Sequence, residues 1–250
     1  GLSSFLICRN TDETTAYNNY VSAKDDRFEE IDVDMNMLDK LEIIVVNDGT
    51  PDNSVSVAQR FVDWYPGTFK IINKENGGHG SAINTGVEHV SGKYFKVVDA
   101  DDWVDTLALK HFINSLEHTE ADAIIQSFRY YDISKKEYRP ADINVPDFNR
   151  EYGLSDVLNM WDDVYDGLSF HGVAYNTKFY KSLNYSLAEH VFYEDQEYAT
   201  VPFSFAETIR FIEEELYVYR VGDVNQSVSA ASQVKRLPDL DKVIFKVLEA

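Results

Sequence analysis

The feature that most limits what this chain can fold into is an almost uninterrupted apolar run, Leu41-Glu42-Ile43-Ile44-Val45-Val46. A strand with one wet face alternates apolar and polar residues; a continuous β-branched run suits a strand buried on both faces of a parallel sheet. The run ends in Asn47-Asp48-Gly49-Thr50-Pro51-Asp52, which is turn chemistry. Ala58, Phe61, Val62 and Tyr65 then repeat at helical spacing, and Pro66-Gly67 ends the helix. The alternation continues. Strands are predicted at Phe69–Ile72, Tyr94–Val98 and Ala123–Phe128. Helical stripes fall at Ile83, Gly86, Val87 and Val90, and at Leu109, Phe112, Ile113 and Leu116. This pattern predicts an α/β fold, with a mostly parallel central sheet covered by helices on both faces. Ligands bind outside the carboxyl ends of such strands. The acidic turns at Asp48 and at Asp99-Ala100-Asp101-Asp102 both lie at such ends.

Beyond residue 130 the pattern loosens. Residues 134–149 read as a polar loop with Pro140 and Pro146, and Leu168–Tyr175 as a strand. Phe192–Tyr198 opens a helix, 209–219 carries two short strands around Glu213-Glu214, and 239–249 is helical. Residues 1 to about 38 show no sustained period. The chain therefore divides into a regular α/β half, 1–130, and a smaller irregular α+β region, 131–250, within one continuous domain.

The 250 residues carry a formal net charge of −20, which argues against a nucleic-acid-binding protein, since phosphate contacts need basic patches. It also disfavours unaided binding to an anionic membrane surface. A hydrophobic fraction of 44% with 14% aromatics excludes a disordered chain. The single cysteine, Cys8, forms neither an internal disulfide nor a cysteine zinc site, which favours a reducing, cytoplasmic setting. No apolar run approaches the roughly 20 residues that span a bilayer.

Four constellations carry candidate chemistry. In Asp99-Ala100-Asp101-Asp102, crowded carboxylates repel, and a divalent cation relieves the conflict. Oxygen ligands suit Mg²⁺ or Mn²⁺ and a bridge to substrate phosphates. The plainer reading is a solvated turn that caps the next helix. Asp48 accepts from a base N–H or sugar hydroxyls, or is an ordinary turn acid. Asn76-Gly77-Gly78-His79-Gly80 lets backbone approach a ligand closely at a helix start, without matching a Walker loop or a dinucleotide fingerprint. Glu194-Asp195 supplies a general base, or acids that favour a helix amino terminus. His79 and His171 are acid–base, ligand or structural residues.

Together these segments resemble the family 2 glycosyltransferases of the GT-A, Rossmann-like fold. Glu42–Thr50 is similar to the family's nucleotide-binding strand and turn. Asn76-Gly77-Gly78 with Asn84-Thr85-Gly86 resembles its N-x-G…A-R-N-x-G segment, with Ile83 in place of the arginine. Asp99-Ala100-Asp101-Asp102-Trp103 resembles its D-x-D motif, and Tyr193-Glu194-Asp195 its acidic motif. The resemblance covers roughly Leu41 to Ser229. It implies inverting transfer from a nucleotide-diphosphate sugar, most often a UDP-sugar, with Mn²⁺ or Mg²⁺. Asp48 would contact the base, beside Asn76 and Gly77, and Asp99 would face ribose and metal. Asp101 would ligate the metal and Asp195 would be the catalytic base. Trp103, His171 and Glu194 would touch sugar or acceptor. The family's first strand would either come from Phe5–Cys8, distorted, or lie in residues this sequence lacks, with Ala16-Tyr17-Asn18 as the expected Tyr-Asn pair. The processive Q-x-x-R-W signature is absent near Gln226–Ser229, which implies addition of a single sugar. Bacterial surface polysaccharide would be the setting, with carbohydrate or lipid-linked acceptors at the inner face of the membrane and loose membrane association. The alternatives are a sugar nucleotidyltransferase and a non-catalytic carbohydrate-binding module on the same scaffold.

Overall fold

The computed structural model describes the backbone of residues 3–9 together with residues 38–222, 234 and 236–250. The segments holding Tyr17 and Gln226 lie outside the described residues. The described strands β1 (Ser3–Arg9), β2 (Leu41–Asp48), β3 (Phe69–Lys74), β4 (Tyr94–Asp99), β5 (Trp103–Val104), β6 (Ala123–Asp132), β9 (Val173–Asn176) and β10 (Ile209–Val221) form one sheet in the order β3-β2-β1-β4-β9-β6-β10-β5. Strands β1, β2, β3 and β4 are mutually parallel, with β1 between β2 and β4. The segment Phe5–Cys8 thus does supply the inner first strand. β9 runs antiparallel between β4 and β6. β6 pairs in parallel with β10, and β5 closes that edge antiparallel to β10.

Period two along the strands separates two cores. Ile44, Val46, Phe95 and Val97 pack with Ala82, Ile83 and Val87 of α2 (His79–His89). Leu41, Tyr94 and Val98 pack with Phe112, Ile113 and Leu116 of α3 (Thr106–Glu117). Asp105 caps α3 by accepting from the backbone N–H groups of Leu107 and Ala108, each at 3.0 Å. α1 (Ser54–Trp64) lies by the β3 edge, with Phe61 stacked on Phe69. The expected α/β architecture with helices on both faces is present, and β9 is its antiparallel insertion.

The less regular half departs from expectation in three places. The two short strands expected across 209–219 are one strand, β10, with a register shift between Ile212 and Tyr217. A bulge absorbs the acidic stretch while pairing with β6 resumes beyond it. The expected loop at 134–149 contains β7 (Glu137–Pro140), an exposed strand folded back on β6. The Asp132 carboxylate accepts from the Ser134 and Lys135 backbone, and Lys136 turns the chain at φ 59°. The strand expected at 168–175 begins only at Val173, because Phe170 and His171 occupy a turn packed among aromatic rings. The remaining elements are β8 (Glu151–Tyr152), α4 (Leu154–Asn159), α5 (Trp161–Val164), α6 (Thr177–Ser182), α7 (Glu194–Ser204) and α8 (Leu237–Glu249). Among the described residues no helix is long and apolar enough to cross a membrane.

Candidate active site

The carboxyl ends of β2, β1 and β4 lie side by side, and the register sets Val46 and Asp99 level with Cys8 between them. The glycine loop crosses the β2 end. Asp48, fully buried, accepts from the Gly77 N–H at 2.9 Å and the Gly78 N–H at 2.8 Å, and pairs with the Lys74 ammonium at 2.7 Å. The Asn76 amide donates to the Asp48 carbonyl at 3.0 Å. Asp48 therefore holds the loop from behind, its carboxylate enclosed and engaged by three donors. Asn47, next along β2, is partly exposed and bonds Asn73 at 2.9 Å. Gly78 has φ +87°, a conformation open to glycine. A Cβ on Gly80 would stand 2.2 Å from the Ala188 carbonyl, so only glycine lets α2 start so close to the 184–190 segment.

The acidic turn splits its carboxylates between partners. The Asp102 N–H donates to the Asp99 carbonyl at 3.1 Å, a tight turn that swings both side chains to one side. Asp99, Asp102 and His171 each offer a ligand atom within 4.8 Å of the others. Asp101 instead lies 3.3 Å from the Arg220 guanidinium, so this geometry brings Asp99 and Asp102 to His171 and Asp101 to Arg220. Asp102 also accepts from the Tyr217 hydroxyl at 2.6 Å and the Arg220 N–H at 2.7 Å. Burial, then the charges of Asp101 and Asp99, pushes Asp102 well above the usual carboxylate range. Burial and Asp99 likewise raise Asp101. Asp99 goes the other way: burial alone would raise it, but His79, His171 and Lys96 outweigh that.

His171 lies in an aromatic nest, stacked on Tyr219 with centroids 3.8 Å apart and edge-on to Tyr217 at 5.1 Å. Burial lowers it to about 4, against the pull of Asp99, so its imidazole is neutral with a lone pair to give. Beneath the turn lies Lys96, 1% exposed, donating to the His171 carbonyl at 2.7 Å and lying 5.0 Å from the centre of the Tyr217 ring. Burial lowers its ammonium to about 7. Sequence reasoning passed over Lys96. Its signal is a lone charge inside the otherwise apolar run 94–98.

The second acidic pair opens α7. Tyr193, just before it, holds a left-handed φ of 73°, a strained backbone for an aromatic residue and one that aims the start of the helix. Burial, then the neighbouring Glu194, raises Asp195 to about 6. Glu194 is itself buried and engages His79 Nδ1 at 2.7 Å. Glu197 is structural: it accepts from the Tyr185 hydroxyl and the Ala188 N–H and pairs with Lys246 of α8 at 2.9 Å. Trp103 packs edge-on against Tyr131 at 5.6 Å, on β5 just after the acidic turn.

A glycine loop, an acidic turn and a second acidic pair thus gather beside the strand ends of an α/β sheet. The profile of glycosyl transferase family 2 matches residues 30–192, and the chain belongs to that family. It is 25% identical over 217 residues to the uncharacterized glycosyltransferase EpsJ of Bacillus subtilis (strain 168), covering 85% of this chain and 60% of that one. The fold is similar to S. aureus TarS in complex with UDP-GlcNAc, with a TM-score of 0.64 at 16% identity, covering 89% of this chain and 59% of that one. It is also similar to the mannosyltransferase PcManGT of Pyrobaculum calidifontis in complex with GDP-Man and Mn²⁺, with a TM-score of 0.58 at 16% identity, covering 99% and 64%. The chain spans about 60% of the length of EpsJ. Its fold is that of the GT-A glycosyltransferases it is similar to.

Proposed function

We propose that the chain transfers a single sugar from a nucleotide-diphosphate sugar, a UDP-sugar in the first instance, to an acceptor hydroxyl with inversion at the anomeric carbon. The observation that carries this reading is Asp195. It is a carboxylate raised to about 6 by burial and by Glu194, so it is a stronger base than an exposed aspartate and still ionised at neutral pH. It stands one residue from the side chain that His79 ties to the acidic turn. Asp195 accepts the acceptor hydroxyl proton as that oxygen bonds to the anomeric carbon. The bond from that carbon to the diphosphate oxygen breaks on the opposite face, and the electron pair leaves with the diphosphate.

The donor set at the acidic turn fits a divalent cation such as Mn²⁺. Two carboxylates converge with a neutral imidazole, and Asp102 is raised for want of countercharge. Asp99, Asp102 and His171 would hold it, with Asp101, one residue away and paired with Arg220, as a further candidate ligand. An ion bound there would offset negative charge on a departing diphosphate. Complexes of the fold relatives with UDP-GlcNAc and with GDP-Man and Mn²⁺ support the reading. Asn76 and Gly77 form the nucleotide side, with Asp48 as the support of their loop, and Trp103 faces the sugar or acceptor. The acceptor is a carbohydrate or lipid-linked chain of bacterial surface polysaccharide, met in the cytoplasm at the inner face of the membrane.

The test is a thermal-shift panel of nucleotide-diphosphate sugars with and without Mn²⁺, followed by nucleoside-diphosphate release on an acceptor panel. One donor should raise the melting temperature and release its nucleoside diphosphate. No shift with any donor, or retention of the anomeric configuration in the product, would sink the proposal.

A further inference from the structure

His79 is the first residue of α2, and its backbone is fixed from both sides. The Gly77 and Gly78 N–H groups bind Asp48, and the Gly77 carbonyl accepts from the His190 N–H at 2.8 Å. Its side chain is 17% exposed and packs on Phe170 with centroids 5.4 Å apart. From that anchored position Nε2 lies 2.9 Å from Asp99 at the end of β4, and Nδ1 lies 2.7 Å from Glu194 at the start of α7. The Nδ1 contact with Glu194 is a hydrogen bond, whereas Nε2 meets Asp99 by ion-pair proximity without hydrogen-bond geometry.

We infer that His79 is a positioning residue: its side chain, set between Asp99 and Glu194, clamps the acidic turn to the amino terminus of α7 and so fixes where Asp195 stands relative to the donor. The inference rests on the proposed transferase reading and deepens it. The residues it joins come from three separate segments, so no single element holds the base at its distance from the donor side. The second carboxylate oxygen of Glu194 is buried and has no hydrogen-bond partner among the described residues. The clamp is therefore what holds Glu194 in place. Without it, an uncompensated buried carboxylate lies beside Asp195 and the helix start is free to shift. A displacement of about 1 Å at a reacting group costs roughly 100-fold in rate.

The experiment compares H79A, H79Q, E194Q and the H79A/E194Q double variant with the wild-type chain. It reads kcat, KM for the donor, UDP affinity by titration calorimetry, and the melting curve. The expected result for H79A is a kcat lower by about 100-fold with UDP affinity within about threefold. H79Q, whose amide still donates to one carboxylate, recovers about tenfold, and the double variant is no worse than H79A by more than about twofold. An unchanged kcat overturns the inference. So does a parallel loss of kcat and UDP affinity, or multiplicative effects of H79A and E194Q. Should H79A fail to fold, H79Q against E194Q carries the same comparison. A wild-type chain that turns over no nucleotide sugar sinks the transferase reading; a wild type that turns over while H79A equals it sinks the clamp alone.

Discussion

Asp48 and Lys74 form an ion pair of 2.7 Å beneath the glycine loop, with the carboxylate fully buried and the ammonium side chain 18% exposed. Removing one partner of such a pair leaves the other buried without compensation and costs about 3–5 kcal/mol. Asp48→Ala should therefore lower the urea midpoint strongly, and Asp48→Asn by less. A base-contacting role alone predicts normal stability with lost UDP affinity, so denaturation and calorimetry on the same variants separate the two.

Asp195 at about 6 gives activity an acid limb: kcat should rise with pH through roughly 6 as the base ionises. Asp195→Asn should lose that limb and about 10²–10⁴-fold in kcat while binding UDP normally. For folding the sign is the reverse of an ordinary salt-bridged aspartate. The folded value lies above the unfolded value of about 3.9, so the group favours the folded state below that value and opposes it increasingly as pH rises through 6. Asp195→Asn should then raise the melting temperature at pH 8 and leave it unchanged at pH 4. A melting temperature that falls at pH 8 removes the basis for the raised base.

Cation binding should show as stability even without donor. At 100-fold over its dissociation constant a ligand adds about 2.7 kcal/mol, which in a chain of this size raises the melting temperature by roughly 5–10 °C. Mn²⁺ should do this in the wild type, and Asp99→Asn, Asp102→Asn and His171→Ala should each reduce the shift. Chelation should abolish turnover. Equal Mn²⁺ shifts in the wild type and all three variants would place the ion elsewhere.

The parts of the molecule that could be read from sequence are those governed by burial alone. β2 and β4 are apolar on both faces, so their runs declare them, and the acids that follow fall at strand ends by necessity. β10 hid because Glu213 and Glu214 read as a break, whereas a bulge lets the strand carry them outward. β7 hid because an exposed edge ribbon with Pro140 has no apolar pattern. In the site, residue types were visible but pairings were not. His79 meets Glu194 115 positions away, and no spacing rule connects a loop to a helix start at that range. The buried facing of Asp48 was likewise invisible, since a turn acid that meets a nucleotide and one that braces a loop look alike in sequence.

Lys96 adds a positive charge beneath the acidic turn, alongside the larger influence of His79 on Asp99. Its ammonium is buried and lies close enough to Asp99 to lower that carboxyl's pKa, and its own value falls to about 7 because burial outweighs the attraction of Asp99. Lys96→Met keeps the shape and removes the charge. Two backbone carbonyls, of His171 and Val173, lose a donor, which costs stability, while the desolvated ammonium disappears, which restores some. The net change in folding should be within about 2 kcal/mol. The electrostatic effect has one sign only: without a positive charge beneath Asp99, a divalent cation is held more tightly. Titration calorimetry should find Mn²⁺ affinity raised in Lys96→Met and lowered in Asp99→Asn. Weaker Mn²⁺ binding in Lys96→Met would show that the lysine shapes the turn rather than opposing the ion.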